Sequence, residues 1–271
     1  MAIKKARKSL GDKAVKQFMV DYFENIDFDY WEKRLNFSFD KITKLKRNKS
    51  KSYYLIDIYS VYLQLLEIFF VNTLILSVKE DGFLSILFTS NNNLRETIKQ
   101  QFTDPKFINW FMDNLVFGFK DKTKINNYEK KCNEHQQILK ESVEDYLKDF
   151  EFLNSYKHGF RVQIRFDPVV GIENVVFLKA DTELIYFTKK HFNKEKDIVY
   201  KNLVMFNHER ISTKSYFILQ MLKNCQKVFL AQGKAVNLDH YFLTDLDKWQ
   251  KTFGVARFKE PLFYIEKMVK R

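Results

Sequence analysis

Apolar positions recur at three- and four-residue steps through most of the chain up to His158, drop to alternation beyond Gly159, and regain the helical step near Ser212. The change of period is clearest between Val143 and Asp167. Val143, Tyr146, Leu147, Phe150, Leu153 and Tyr156 fall on one helical face, with Glu144, Asp145, Lys148 and Asp149 on the other. Gly159 stands where a helix commonly stops in the left-handed conformation, so the helix is expected to end at His158. From there Phe160, Val162, Ile164 and Phe166 alternate with Arg161, Gln163, Arg165 and Asp167, the mark of a strand leaving directly from the helix end.

The same reasoning predicts helices over Asp12 to Glu24, Phe28 to Leu45 and Tyr53 to Val78, with a break at Asp81-Gly82. A further helix starts near Leu94 with Asn93 as its cap, and another at Pro105 with Asp104 before it. Lys120 to Lys124 is a charged connector, and Ile125 to His158 is mostly helical. Strands follow at Phe160 to Phe166, Asn174 to Lys179 and Leu184 to Thr188, then a basic loop carrying Lys189, Lys190, Lys194, Lys196 and Lys201, and a short strand at Leu203 to Phe206. Helices at Ser212 to Leu230, Asp239 to Thr252 and Pro261 to Val269 close the chain. The expected class is α+β, mainly α: an antiparallel bundle over 1–159, a small antiparallel β-meander with its basic loop over 160–210, and C-terminal helices over 211–271 packing on the same core.

Composition narrows this picture. At 271 residues the chain can bury a substantial interior without staples, and Cys132 and Cys225 match no paired framework, which fits a reducing compartment. The basic start, Met1 to Lys8, is not followed by an apolar run, so no secretion signal is expected. Tyr53 to Val78 has the length of a membrane span, but Asp57, Gln64, Glu67 and Asn72 interrupt it, a pattern suited to the central helix of a bundle. A cytoplasmic protein with no membrane partner follows. Forty-six Lys and Arg against 34 Asp and Glu leave +12, which favours a polyanion, RNA or nucleotide, on a basic surface. Lys41, Lys44, Lys46, Arg47, Lys49 and Lys51 form the densest basic run, to be read as a solubilising turn or as a phosphate contact.

Candidate chemistry is sparse. Cys132 and His135 stand three residues apart with no second pair at zinc-like spacing, so no metal site is expected and the two read as packed side chains. With seven glycines and no phosphate-cradling loop, nucleophile elbow or dinucleotide fingerprint, nucleotide-cofactor folds are disfavoured and no cofactor is expected. His208-Glu209-Arg210 reads as a cap region before the Ser212 helix, and Trp31, Trp110 and Trp249 as core.

Asn154 to Arg161 is the remaining lead. Leu153-Asn154-Ser155-Tyr156-Lys157-His158-Gly159-Phe160 resembles the signature of the HEPN superfamily, helical nucleotide- and RNA-associated domains of prokaryotic defence and toxin systems. Asn154 and His158 match the motif by position; Leu153 stands where the family carries its Arg, and Lys157 and Arg161 lie outside the motif as local substitutes for the missing cation. The resemblance implies metal-independent RNA cleavage in family enzymes, with His moving the 2′-hydroxyl proton and cations stabilising the phosphorane, and pairing of two chains about a shared cleft, hence a homodimer. Three outcomes stay open: an RNA- or nucleotide-directed binding protein with a degenerate site, an endoribonuclease using His158, Asn154, Arg161 and Lys157, or a protein-interaction scaffold unrelated to nucleic acid.

Overall fold

A computed structural model describes residues 12–46, 48–120, 122–157, 162–166, 169–172, 175–179, 182–191, 196–238 and 255–266. The fold is α+β and mainly helical, the class the periodicity predicts. The helices are α1 (Asp12–Glu24), α2 (Phe28–Lys44), α3 (Asn48–Leu87), α4 (Asn91–Gln101), α5 (Pro105–Phe111), α6 (Tyr128–Lys157) and α7 (His208–Ala231). The strands are β1 (Val162–Phe166), β2 (Val169–Ile172), β3 (Val175–Lys179), β4 (Thr182–His191), β5 (Lys196–Phe206) and β6 (Val255–Glu266). The chain divides into two compact units, each assembled from three separated stretches.

The first unit comprises Met1–Lys33, Leu65–Leu147 and Lys214–Phe242. Its core is aromatic: Phe70 meets Phe102 at 4.9 Å and Tyr146 at 5.4 Å, Phe69 meets Phe111 at 6.0 Å, and Phe23 stacks on Phe229 at 4.3 Å. Contacts of this kind add to the large area each ring removes from water. α3 runs unbroken through the Asp81-Gly82 break that the sequence predicts. Glycine inside a helix costs only about 1 kcal/mol relative to alanine, and burial of the next two residues, Phe83 and Leu84, outweighs that. Ser90, not Asn93, caps α4, its Oγ accepting from the Asn93 amide at 3.4 Å. Asp104 caps α5 with Pro105 in the first turn, as the sequence predicts. α5 continues as one π-helical turn, Met112–Val116, after which Gly118 adopts φ +59° and its carbonyl accepts from the Val236 amide at 3.0 Å. Gly233, at φ +81°, follows the last turn of α7.

The second unit comprises Arg34–Gln64, Lys148–Thr213 and Leu243–Arg271. Four strands form an antiparallel sheet in the order β1-β4-β5-β6, and β2 and β3 pair separately as a ribbon. Register puts Leu184 opposite Val204 and Thr182 opposite Phe206 on one face, and there Phe206 stacks on Tyr59 of α3 at 4.8 Å while Tyr186 meets Phe152 of α6 at 5.6 Å.

Three sequence expectations are corrected here. Pro261 to Val269 is not a helix where it is described: Val255–Glu266 is β6, paired along its length with β5. Pro261 has no amide to donate, and it sits in the last strand of the sheet order, opposite Tyr200, where the β5 register shifts. An edge strand at a bulge is where a sheet tolerates proline. The basic loop is largely strand, since β4 runs to His191 and β5 begins at Lys196; lysines at strand ends carry no apolar alternation to betray them. Finally, the Pro168 to Gly171 separator contributes to β2, from Val169 onward. Asp239 to Thr252, including Trp249, lies outside the described residues.

Ser50–Val78 of α3 is long and apolar enough to cross a membrane by length and composition, but 61% of its most apolar window is buried within the protein. It is packed as a core helix.

Candidate nucleic-acid interface

The site is built on α6, whose buried stripe is rotated from the predicted one. Ser142, Asp145, Tyr146, Asp149, Phe152 and Leu153 are buried, whereas Val143, Leu147 and Phe150 are only half-buried. Asp145 and Asp149, expected on the solvent face, are 3% and 1% exposed. Each is compensated by a cation from a distant part of the chain, which local periodicity cannot register. In the first unit Lys214 Nζ lies 2.8 Å from Asp145 and 2.9 Å from Glu141. In the second unit Asp149 Oδ2 accepts from the Tyr59 hydroxyl at 2.5 Å and from Arg257 Nε and Nη2 at 2.7 and 2.6 Å. Three donors on one carboxylate oxygen supply the pairing that a buried charge requires. Burial pushes the neighbouring Tyr186 hydroxyl pKa well up, and the Asp149 charge adds to the rise, so it stays protonated. A second buried carboxylate of this unit, Asp57, accepts from Arg34 at 2.5 Å and from Ser38 Oγ at 2.7 Å.

Half a turn beyond Asp149, the sheet brings cations to the end of α6. Lys190 Nζ of β4 lies 3.7 Å from Glu151, three residues before Asn154. Lys259 of β6 interacts with the same Lys190, and its ammonium sits 4.5 Å over the Tyr200 ring. Partial burial lowers the Lys259 pKa, and the Lys190 charge lowers it further while Glu151 opposes. Two ammonium groups from different strands thus lie close enough to repel one another, and one of them, Lys190, meets the Glu151 carboxylate. An arriving phosphate would relieve their mutual repulsion.

The predicted site residues divide between described and undescribed parts of the chain. Asn154 and Lys157 belong to the last turns of α6, while His158 and Arg161 lie outside the described residues, as do Gly159 and Phe160. Leu153, at the position of the family's Arg, is 8% exposed and part of the core. Sequence reasoning missed Lys190, Lys259, Arg257 and Lys214 as partners of α6. The available signal was the alternation of Val255, Arg257 and Lys259 with Ala256, Phe258 and Glu260, which marks a strand carrying two cations on one face.

Cys132 and His135 behave as packed side chains: both are buried, and His135 Nδ1 donates to the Lys131 carbonyl at 2.8 Å. Burial lowers the His135 pKa and raises that of Cys132. Among the described residues no cluster of three or more His, Cys, Asp and Glu could hold a metal ion. His208, Glu209 and Arg210 form the first turn of α7, where Asn207 Oδ1 accepts from the amides of Glu209 and Arg210 at 3.0 and 3.2 Å.

The fold and this geometry define a mainly helical α+β protein in which Lys190 of β4, close to Lys259 of β6, meets Glu151 near the end of α6. No protein-family model, curated protein or solved structure matches the chain.

Proposed function

We propose that this chain is a HEPN-like, RNA- or nucleotide-directed cytoplasmic protein of a prokaryotic defence or toxin type system, whose site at the end of α6 binds its polyanion without cleaving it. The observation that supports the reading is Lys190 meeting α6 at Glu151, 3.7 Å away and three residues before Asn154, with the Lys259 ammonium close enough to Lys190 for the two charges to interact. The +12 charge adds long-range attraction for phosphate. Loss of catalysis follows from position 153: the family's cation is replaced by a leucine turned into the core, and Arg257 is engaged by buried Asp149. A site without the family's cation at position 153 lacks one stabiliser of the developing phosphorane charge.

The test is binding and cleavage of total RNA in EDTA by the parent, His158→Ala and Lys190→Gln/Lys259→Gln proteins. The expected result is no cleavage by any of them, with RNA affinity that falls steeply with salt and a log–log salt slope smaller by about 2 in the double lysine variant. Cleavage by the parent that His158→Ala abolishes would overturn the non-catalytic reading in favour of an endoribonuclease. Absence of salt-dependent RNA binding would leave the scaffold alternative.

A further inference from the structure

The basic run between α2 and α3 does not stand alone. From Asp40 to Lys51 the chain carries six cations, Lys41, Lys44, Lys46, Arg47, Lys49 and Lys51, against the single carboxylate of Asp40. On the two helices that flank this run the structure leaves aromatic rings in solvent. Phe37 on α2 is 56% exposed and Tyr53 on α3 is 64% exposed. Tyr54 joins them, its ring 5.9 Å from Phe37 at 68° and 5.3 Å from Tyr53 at 85°. Lys41 Nζ sits 5.3 Å over the Phe37 ring, one turn along the same helix. Asp40 is taken up by Lys44 at 2.9 Å, with both side chains exposed.

Single exposed apolar side chains are ordinary on a folded surface, but a contiguous row of rings edged by ammonium groups is not. Both ring pairs meet edge to face, so neither is a face-to-face stack. Of the aliphatic residues on this stretch of the two helices, Leu35, Ile42, Leu55 and Ile58 are buried and Ile56 is half-buried. Rings edged by lysines are the combination that stacks bases and tracks a phosphodiester backbone; the same combination suits an anionic membrane interface, and the vesicle arm of the experiment below separates the two.

We infer that the α2–α3 hairpin is a stacking platform for single-stranded RNA, with unpaired bases on Phe37 and Tyr53 and phosphates on Lys41, Lys46 and Lys51. The choice of RNA rests on the function proposed above; the stacking does not. Bases inside a duplex are already stacked and cannot reach the rings, so the platform discriminates by strandedness and not by sequence.

The experiment uses the full chain with an oligouridine of about 20 nucleotides carrying one 2-aminopurine, a length that covers several bases on either side of a stacking surface. Parent protein should quench the 2-aminopurine on binding. Phe37→Ala/Tyr53→Ala should weaken binding by about a hundredfold with the salt slope unchanged, because it removes rings and no charge. Lys41→Gln should lower the slope by about 1. Both exposed rings lie outside the core, and circular dichroism of the variants should match the parent. An unchanged affinity in Phe37→Ala/Tyr53→Ala, equal competition by a duplex, or binding only to phosphatidylserine vesicles would overturn the inference. Lys190→Gln/Lys259→Gln separates the two surfaces. If it weakens RNA binding while the ring variant does not, the platform fails and the α6 site stands; the opposite pattern removes the α6 site and keeps the platform.

Discussion

Asp145 and Asp149 stand one turn apart on α6, and both are almost fully withdrawn from water, yet they are compensated in different ways. Asp145 belongs to the first unit and meets Lys214, whose side chain is 1% exposed and which also reaches Glu141. Asp149 belongs to the second unit and meets Arg257, 16% exposed, together with a tyrosine hydroxyl. The lysine is a compact point charge shared by two acids; the guanidinium is a planar fork engaging one acid with two nitrogens. The first arrangement holds its cation with almost no access to solvent. The second keeps the tyrosine donor and partial access to water. Depth of burial, more than the number of contacts, should decide which pair the fold depends on.

Removing each cation in turn would break this comparison or sharpen it. Lys214→Met removes the cation 2.8 Å from buried Asp145 and should destabilise the protein by about 3–5 kcal/mol in urea denaturation. Replacing both members, Lys214→Met with Asp145→Leu, should recover much of that loss, because the cost lies in the orphaned charge. Arg257→Met should cost less, about 2 kcal/mol, since the Tyr59 hydroxyl stays on Asp149 and solvent reaches the site. A larger loss from Arg257→Met than from Lys214→Met would mean that burial does not rank the two pairs.

The smallest effect concerns a buried titratable group of the first unit. His135 has its pKa pushed below the ordinary 6.5, chiefly by burial. The unfolded chain therefore binds a proton that the native imidazole refuses. Stability contributed by the neutral ring is complete above pH 6.5 and declines as pH falls from there toward the native pKa. Stability measured at pH 7 and pH 5 should drop by about 1 kcal/mol more in the parent than in His135→Gln. Equal drops would show that the buried ring is not what titrates.

Much of the helical scaffold can be read from the chain alone, for a physical reason: helix and cap signals are local. α1 begins and ends where the three- and four-residue steps do, Asp104-Pro105 opens α5, and Gly233 follows the end of α7, because spacing, side-chain capping and a left-handed turn depend on a few adjacent residues. What the local pattern left open was settled by partners far along the chain. Gly82 remained helical because Phe83 and Leu84 found a core, and Pro261 entered a strand because β5 offered it an edge with a bulge. The carboxylates of Asp145 and Asp149 turned inward because Lys214 lies 69 residues and Arg257 108 residues further on. Lys190 and Lys259 come together near Glu151 through strand pairings that no window of sequence contains. Period and capping determined which segments coil; desolvation of charge and long-range pairing, which only the folded chain can satisfy, decided which residues share the end of α6.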